Sequence, residues 1–341
     1  MRPQPSVADY VAGVRAGDRA LLARAITLIE SRLPRHRAQA SELLQALLPF
    51  TGGAHRVGIS GSPGVGKSTF VEALGLSLLE RGHRLAVLAI DPTSALSGGS
   101  VLGDKTRMPG LTSDPRAFVR PSPSTGTLGG VARATREALL LCEAAGFDVV
   151  LVETVGVGQS EALVAEMVDT FVLLLLAGAG DELQGIKRGV LELAEVLAVT
   201  KADGDNVVRA ERAAAEYRHA LRLQRAHEGG WRPPLLLVSS LEGRGIGELW
   251  EQVVAHRVAH QGSGLWEGKR ARQRVAWLWS LLNERLLDSF RDHPRVSQLL
   301  SRTEAEVQAG QLTPGRAADL LLEAFATSRS DGSPGQKTPE E

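Results

Sequence analysis

Gly61-Ser62-Pro63-Gly64-Val65-Gly66-Lys67-Ser68 is the stretch of sequence that decides the fold, because it matches the pattern G-x-x-x-x-G-K-S/T. An apolar run at 57–59 precedes it, and residues 70, 74 and 78 after it are apolar at helical spacing. Glycines let backbone N–H groups curl around phosphate oxygens, and a following helix adds the positive end of its dipole. A glycine-rich turn before an ordinary helix is the alternative, but strand, motif and helix in this order favour a phosphate-binding loop.

The loop predicts a nucleotide site that also holds Mg²⁺. Lys67 is expected to neutralise charge between the β- and γ-phosphates, and the Ser68 hydroxyl is expected to ligate the metal ion. The predicted contacts of this loop with the nucleotide come from Gly61, Ser62, Pro63, Gly64, Val65, Gly66, Lys67, Ser68 and Thr69.

Short apolar runs alternate with helical stretches along the middle of the chain, at 56–60, 84–91, 148–153, 170–177, 195–201 and 234–239. This alternation predicts an α/β fold with a doubly wound, mainly parallel sheet. The stretch 92–130 between the second and third runs is rich in Gly, Pro and Ser and predicts a long functional loop.

Helical patterns flank this region on both sides. Asp18 is a candidate N-cap, Pro34 breaks the N-terminal pattern, and Pro314 opens a second segment within 265–326. We therefore predict an N-terminal helical extension at 1–50, a nucleotide-binding domain at 51–262, a C-terminal helical segment at 263–327 and a disordered tail at 328–341.

The composition excludes several classes of protein. Among 341 residues, Lys plus Arg is 39 and Asp plus Glu is 39, so no net charge favours nucleic acid or an anionic membrane. The start lacks the apolar stretch of a secretory signal, and the longest apolar run, 171–177, is too short to span a bilayer. We expect a cytoplasmic protein whose single cysteine, Cys142, packs in the core.

Acidic residues at the predicted strand ends are candidate metal ligands. Glu153 ends the run 148–153 and should reach the Mg²⁺ shell, and Gly156 after it is a candidate γ-phosphate sensor. Asp91 ends another run, where ligands of open α/β sheets collect, although a turn-forming Asp before Pro92 is the alternative. Asp104 lies in the long loop and is unremarkable by itself. Lys67, Glu153 and Gly156 are the catalytic residues that this pattern predicts.

Thr200-Lys201-Ala202-Asp203 resembles the guanine-reading motif N-K-x-D. The Asp203 carboxylate accepts hydrogen bonds from the ring N–H and the amino group of guanine, a donor pair that adenine lacks. The Lys201 stem is expected to lie along the base, and Ser239, Ser240 and Leu241 complete the predicted base site. Thr200 replaces the usual Asn, and a hydroxyl supplies only part of an amide's hydrogen bonding. A surface helix start is the alternative, and GTP is favoured over ATP.

The residue after Gly156 bears on turnover. Many small GTPases orient the attacking water with a Gln at this position, whereas this chain has the apolar Val157 there and Gln159 later. We therefore predict slow GTP hydrolysis by the chain alone.

The sequence resembles the methylmalonyl-CoA mutase-associated GTPase family, the MeaB/ArgK group of P-loop GTPases, over most of its length. The motifs that carry the resemblance are residues 61–69, DPTS at 91–94, LGDKTRM at 102–108, RPSPSTGTLGG at 120–130, ETVGVGQSE at 153–161 and GAGDELQGIK at 178–187.

The resemblance implies a homodimeric GTPase chaperone that docks on an adenosylcobalamin-dependent acyl-CoA mutase, gates cofactor loading and protects the mutase. It implies that Mg²⁺ is surrounded by Ser68, Asp91, Asp104 and Glu153, and so adds Asp104 to the predicted catalytic residues Lys67, Glu153 and Gly156. It also implies a partner-sensing switch that contains Asp181, Glu182, Gln184 and Lys187. For Lys187 and Arg188, a solvated helix start is an equally good interpretation.

The C-terminal helices resemble the dimerisation segment of the family. Trp266, Trp277 and Trp279 are candidate anchors of that interface, and an intramolecular core is an equally good interpretation.

Three other functions are weighed against this one. A GTP-driven metallochaperone that inserts nickel usually carries His-rich or Cys-containing motifs, whereas this chain has eight dispersed histidines and one cysteine. A P-loop kinase or transport-associated ATPase would prefer ATP, which Asp203 disfavours. A module that binds nucleotide without turnover is disfavoured by the combination of Lys67, Ser68 and Glu153.

Overall fold

The computed structural model describes residues 5–31, 33–90, 108–121, 128–154, 160–177, 188–222 and 226–326. The chain divides into two compact units, Met1–Arg274 and Val275–Glu341. The division falls inside the predicted C-terminal segment 263–327, and the predicted domain boundaries stay predictions. Within the described ranges, no helix has both the length and the apolar character that crossing a membrane requires.

The first unit is built on a seven-stranded sheet in which every pair of neighbours is parallel. The spatial order is β3-β2-β4-β1-β5-β6-β7, so β1 lies between β4 and β5 near the centre. This confirms the predicted doubly wound α/β fold. The strands are β1 His55–Gly61, β2 Leu85–Ile90, β3 Ala117–Pro121, β4 Val149–Thr154, β5 Thr170–Leu175, β6 Val196–Val199 and β7 Leu235–Leu237.

The stretch 92–130 is not one long loop, which corrects the prediction. It contains a short helix at Pro109–Ser113 and the edge strand β3, whose Ala117 pairs with Leu85 of β2. Only three apolar residues, Ala117, Phe118 and Val119, mark this strand in the sequence. Because an edge strand is paired on one side only, a short apolar run is enough to form it.

Helices cover both faces of the sheet. In chain order they are α1 Val7–Arg15, α2 Arg19–Glu30, α3 Pro34–Leu47, α4 Lys67–Glu80, α5 Pro109–Ser113, α6 Leu128–Ala144, α7 Ser160–Ala165, α8 Arg188–Leu193, α9 Val207–Arg222, α10 Ile246–Gly262, α11 Leu265–Arg291, α12 Pro294–Gln308 and α13 Pro314–Ala326.

The sequence correctly indicates where several helices begin. The Asp18 side chain caps α2 by accepting from the N–H groups of Ala20 and Leu21, and α3 and α13 begin at Pro34 and Pro314. Helix α1 is not individually predicted from the sequence; it begins with a reciprocal capping box between Ser6 and Asp9.

Two hydrophobic cores lie on opposite faces of the sheet. One contains residues of α1, α2, α3, α6 and α9, and the other contains residues of α4 and α10. Cys142 is fully buried in the first core and forms no disulfide, which agrees with the predicted packing role. Burial raises the pKa of its thiol well above the ordinary value.

A polar cluster holds the amino-terminal ends of β1 and β5 to the first part of α11. Arg270 donates to both carboxylate oxygens of Asp169, each at 2.7 Å, and to the carbonyls of Gly52 and Ala54. Burial by itself raises the pKa of Asp169, but Arg270 and Arg56 bring it below the ordinary value. This buried pair fixes the second turn of α11 to the sheet.

Two buried imidazoles share one hydroxyl in the same region. Thr170 Oγ1 lies 3.0 Å from His55 Nε2 and 2.9 Å from His256 Nδ1. Burial lowers the pKa of His55 to about 4 and that of His256 to about 2. Both rings are therefore neutral at physiological pH, and the single hydroxyl proton of Thr170 can point to only one of them.

The second unit consists of α11 from Val275 onward, α12 and α13. Phe325 of α13 makes edge contacts with Phe290 of α11 and with His293, at ring-centroid distances of 5.4 Å and 5.2 Å. Of the three tryptophans considered above, Trp266 is buried in the first unit and is a core residue, whereas Trp279 is 61% exposed. Trp277 is half-buried.

Candidate nucleotide-binding site

The phosphate-binding loop connects the central strand β1 to α4, as predicted. Gly66 caps the helix with φ 92°, in the left-handed region that glycine tolerates best. At Gly61, a Cβ would lie 2.5 Å from the carbonyl oxygen of Leu174, so a side chain there would collide with β5. These two glycines let the loop turn tightly at the carboxyl edge of the sheet, where ligands of open α/β folds bind.

The Lys67 ammonium lies over this loop. Its Nζ atom donates to the carbonyls of Gly61 at 2.8 Å and Ser62 at 3.0 Å, and the side chain is buried. Burial lowers the pKa of Lys67, while the negative charges of Glu153 and Glu161 act in the opposite direction. A positive charge held at this point is placed to stabilise phosphate oxygens above the loop.

Ser68 and Glu153 form the described part of the candidate metal site. β4 runs beside β1 with Glu153 opposite Ile59, and Ser68 Oγ donates to Glu153 Oε1 at 2.7 Å. A hydroxyl and a carboxylate are hard oxygen ligands of the kind that Mg²⁺ prefers, so these residues fit that ion. Across the described ranges, no three or more His, Cys, Asp or Glu side chains are grouped so that they could hold a metal ion.

Thr200 joins the predicted base-reading segment to the phosphate loop. It follows β6 directly, is buried, and its Oγ1 donates to the Val65 carbonyl at 2.8 Å and lies 3.3 Å from the Leu175 carbonyl. The sequence alone does not indicate this contact. Lys201 next to it has φ 55°, and its Cε lies 4.0 Å from the position of a Cβ on Gly66, so its stem lies beside the loop.

Asp203 is held by the segment that follows β7. Ser239 Oγ donates to Asp203 Oδ2 at 2.6 Å, and the backbone N–H of Glu242 donates to Ser239 Oγ at 3.1 Å. Ser239 is buried, whereas Leu241 is 82% exposed. The carboxylate is thereby oriented at the carboxyl edge of the sheet, beside Thr200 and Lys201, and Ser240 follows Ser239 half-buried.

Several predicted site residues lie outside the described residues. They are Asp91, Asp104, Gly156, Asp181, Glu182, Gln184 and Lys187. The structure brings together the loop 61–69, Glu153 and the segments around Asp203 and Ser239. Their contacts with a nucleotide stay predictions. One buried contact beside the site is not predicted from the sequence: the hydroxyls of Ser60 and Thr154 lie 2.8 Å apart between β1 and β4.

A protein-family model matches most of the chain. Residues 22–295 match the model described as methylmalonyl Co-A mutase-associated GTPase MeaB. The match includes the whole sheet and every described residue of the candidate site.

Curated relatives align over nearly the whole chain. A probable GTPase of Mycobacterium tuberculosis (strain ATCC 25618 / H37Rv) is 57% identical over 318 residues, covering 93% of this chain and 95% of the relative. The methylmalonic aciduria type A homolog, mitochondrial, of Mus musculus is 50% identical and covers 92% and 78%. GTPase ArgK of Escherichia coli (strain K12) is 44% identical and covers 96% and 99%.

A solved structure supports the same fold. The crystal structure of a LAO/AO transport system kinase is 37% identical, superposes with a TM-score of 0.74, and covers 95% of this chain and 99% of its own.

Proposed function

This chain belongs to the methylmalonyl-CoA mutase-associated GTPase family and is a P-loop GTPase, and from that premise we propose that it is a Mg²⁺-dependent switch and chaperone for an adenosylcobalamin-dependent acyl-CoA mutase. In this proposal it gates cofactor loading and protects the mutase. The family match over residues 22–295 is the observation that carries the proposal.

The arrangement of the site supports GTP as the nucleotide. Lys67 and the loop N–H groups face one end of the proposed nucleotide, and Asp203, oriented by Ser239, faces the other. A carboxylate left without the donor pair of guanine would be unsatisfied, which disfavours adenine. Thr200 ties the two parts of the site to each other.

The residues of the chain have separate roles in turnover. Lys67 stabilises negative charge that develops on the transferred phosphoryl group, and Glu153 accepts from Ser68 and orients its hydroxyl. Mg²⁺, held by Ser68 and Glu153 with Asp91 and Asp104, would neutralise charge on the phosphates when bound. Val157 in place of a water-orienting Gln supports slow turnover by the chain alone, as a timer requires.

The partner and the assembly are further parts of the proposal. Asp181, Glu182, Gln184 and Lys187 are proposed to form the switch that senses the mutase. The homodimer is proposed to form through the C-terminal segment. Exposed apolar side chains recur at intervals of three or four residues along α11 and support that interface, as on one face of an amphipathic helix. They are Val275, Leu278, Trp279, Leu282 and Leu286.

The decisive experiment measures phosphate release from GTP by the purified chain, alone and with an adenosylcobalamin-dependent acyl-CoA mutase from the same genome, with ATP in parallel. We expect slow turnover of GTP, clear stimulation by the mutase, and no turnover of ATP. If no such mutase stimulates turnover, the proposed link to a cobalamin-dependent enzyme is wrong. Turnover of ATP would overturn the role of Asp203 in base specificity.

A pair of variants of one strand controls this experiment. Glu153→Gln at the carboxyl end of β4 removes the charge from the proposed metal site, and turnover should fall by about 10²- to 10³-fold. Asp148→Asn, just before the other end of β4, removes a carboxylate that pairs with His83 and should leave turnover unchanged. Equal losses in the two variants would show that Glu153 acts through stability alone.

A further inference from the structure

A pocket of about 230 Å³ lies at the start of β7, away from the phosphate-binding loop. Because parallel strands place their amino ends on one edge, the start of β7 and the end of α9 lie at the edge opposite the nucleotide site. Three arginines, Arg218, Arg222 and Arg232, line the pocket together with Leu221, Pro233 and Leu235.

The charge of this pocket is unusual for a chain with no net charge. Among the described residues that line it, every charged side chain is an arginine and none is a carboxylate. Glu228, on the segment between α9 and β7, is paired with Arg272 at 2.6 Å. Arg218 makes one long contact, 3.5 Å from its Nη2 to the Leu235 carbonyl. Positive side chains that line one pocket attract an anion placed between them.

The chemistry of the lining indicates a particular class of anion. Guanidinium groups bind phosphate and carboxylate through paired N–H donors, and a phosphate monoester carries more charge than one carboxylate near neutral pH. The apolar side chains of Leu221, Pro233 and Leu235 offer contact to a non-polar group. The volume is below the roughly 300–1,000 Å³ of pockets for drug-sized ligands, which favours a small molecule.

We propose that this pocket binds a small organic phosphate, with its phosphate among Arg218, Arg222 and Arg232 and its apolar part against Leu221, Pro233 and Leu235. The site is separate from the nucleotide site and does not depend on the proposed partner.

The test uses the full chain saturated with GDP and Mg²⁺, so that the phosphate-binding loop is filled. Phenyl phosphate, which joins a phosphate to an apolar ring, is titrated and the heat of binding is measured. We expect one saturable site per chain, with an affinity that falls as salt concentration rises. Arg222→Gln should weaken binding at least tenfold, and Arg232→Gln, outside α9, should do the same. Arg209→Gln on the exposed surface of α9 should change nothing.

Other outcomes would overturn the proposal. Absence of saturable binding up to millimolar phenyl phosphate would remove the site, and equal binding by wild type and both pocket variants would move it elsewhere. If benzoate binds as tightly as phenyl phosphate, the pocket does not select phosphate over carboxylate. If inorganic phosphate binds as tightly, the apolar contact makes no contribution. GTP turnover by Arg222→Gln should equal that of the wild type, which separates this test from that of the proposed function.

Discussion

The hydroxyl of Thr200 donates a 2.8 Å hydrogen bond to the carbonyl of Val65, so the segment that carries Asp203 is joined directly to the phosphate-binding loop. Thr200 and Val65 are both buried. The isosteric substitution Thr200→Val removes the hydroxyl donor. It therefore leaves the buried Val65 carbonyl without this hydrogen bond, at a cost of about 1–3 kcal/mol.

We expect Thr200→Val to weaken GDP binding about tenfold or more, because the loop is no longer held in its binding shape. Titration with a fluorescent GDP analogue measures the change. Thr200→Ser retains the hydroxyl and should bind within a few-fold of the wild type; a loss as large as that in Thr200→Val would assign the effect to the methyl group instead.

Base specificity is expected to follow the carboxylate of Asp203. Asp203→Asn exchanges an acceptor for a donor, which suits the carbonyl of xanthine better than the amino group of guanine. The variant should lose GDP affinity and gain XDP affinity in a competition assay. Ser239→Ala removes the 2.6 Å hydrogen bond to Asp203 and should weaken GDP without any gain of XDP. A variant Asp203→Asn that still prefers GDP would contradict the role given to this carboxylate.

Two arginines of α11 should differ sharply in their effect on stability. Arg270 and Asp169 have side chains 9% and 1% exposed, whereas Arg272 and Glu228 are 60% and 58% exposed. Arg270→Met leaves a buried carboxylate without its partner and should lower the free energy of unfolding by about 3–5 kcal/mol. Arg272→Met should change it by less than about 1 kcal/mol. Urea unfolding monitored by circular dichroism compares the two, and equal effects would show that the burial of the Arg270 pair has no energetic consequence.

Acid should destabilise the protein through the two imidazoles that contact Thr170. The pKa of His55 is lowered to about 4 in the folded chain, below the ordinary value of about 6.5 in the unfolded chain. The unfolded chain therefore takes up the proton first, and stability is lost as pH falls from about 6.5 toward 4. Each such histidine contributes about 2 kcal/mol of loss by about pH 5. Urea unfolding at several pH values measures this slope, and His55→Gln should make it shallower.

Dimerisation is expected to depend on the exposed apolar face of α11. Trp279→Ala should weaken self-association by about 2 kcal/mol or more if this side chain is a central anchor, as large aromatic residues in interfaces often are. Sedimentation velocity over a concentration series measures the change. Val258 is 63% exposed on α10, outside this face, and Val258→Ala should leave self-association unchanged. An intact dimer of folded Trp279→Ala would remove this tryptophan from the interface.

The parallel sheet could be predicted because strands buried on both faces are continuous apolar runs. Each of the six predicted runs overlaps an observed strand, whereas β3 is not predicted because its apolar part is only three residues long and it follows a segment rich in turn-forming residues. The phosphate loop could be predicted because its chemistry is local: eight consecutive residues specify strand end, turn and helix start.

Contacts between distant segments could not be predicted in the same way. Ser239 and Asp203 are 36 positions apart, and His55 and Thr170 are 115 apart, so each contact depends on the completed sheet. The role of Thr200 is a mixed case. The motif indicated its place at the base site, but its bond to Val65 requires that β6 and the loop lie side by side.

The burial of Cys142 has a practical consequence for spectroscopy. It is the only cysteine in the chain, and its thiol lies inside the core with a pKa raised far above neutrality. Because the thiolate is the species that reacts with maleimides, the native protein should resist alkylation until α6 separates from the sheet. A cysteine introduced on an exposed helix can therefore be labelled with a fluorophore while Cys142 remains in place. In the wild type, the rate of Cys142 labelling measures how often the core opens.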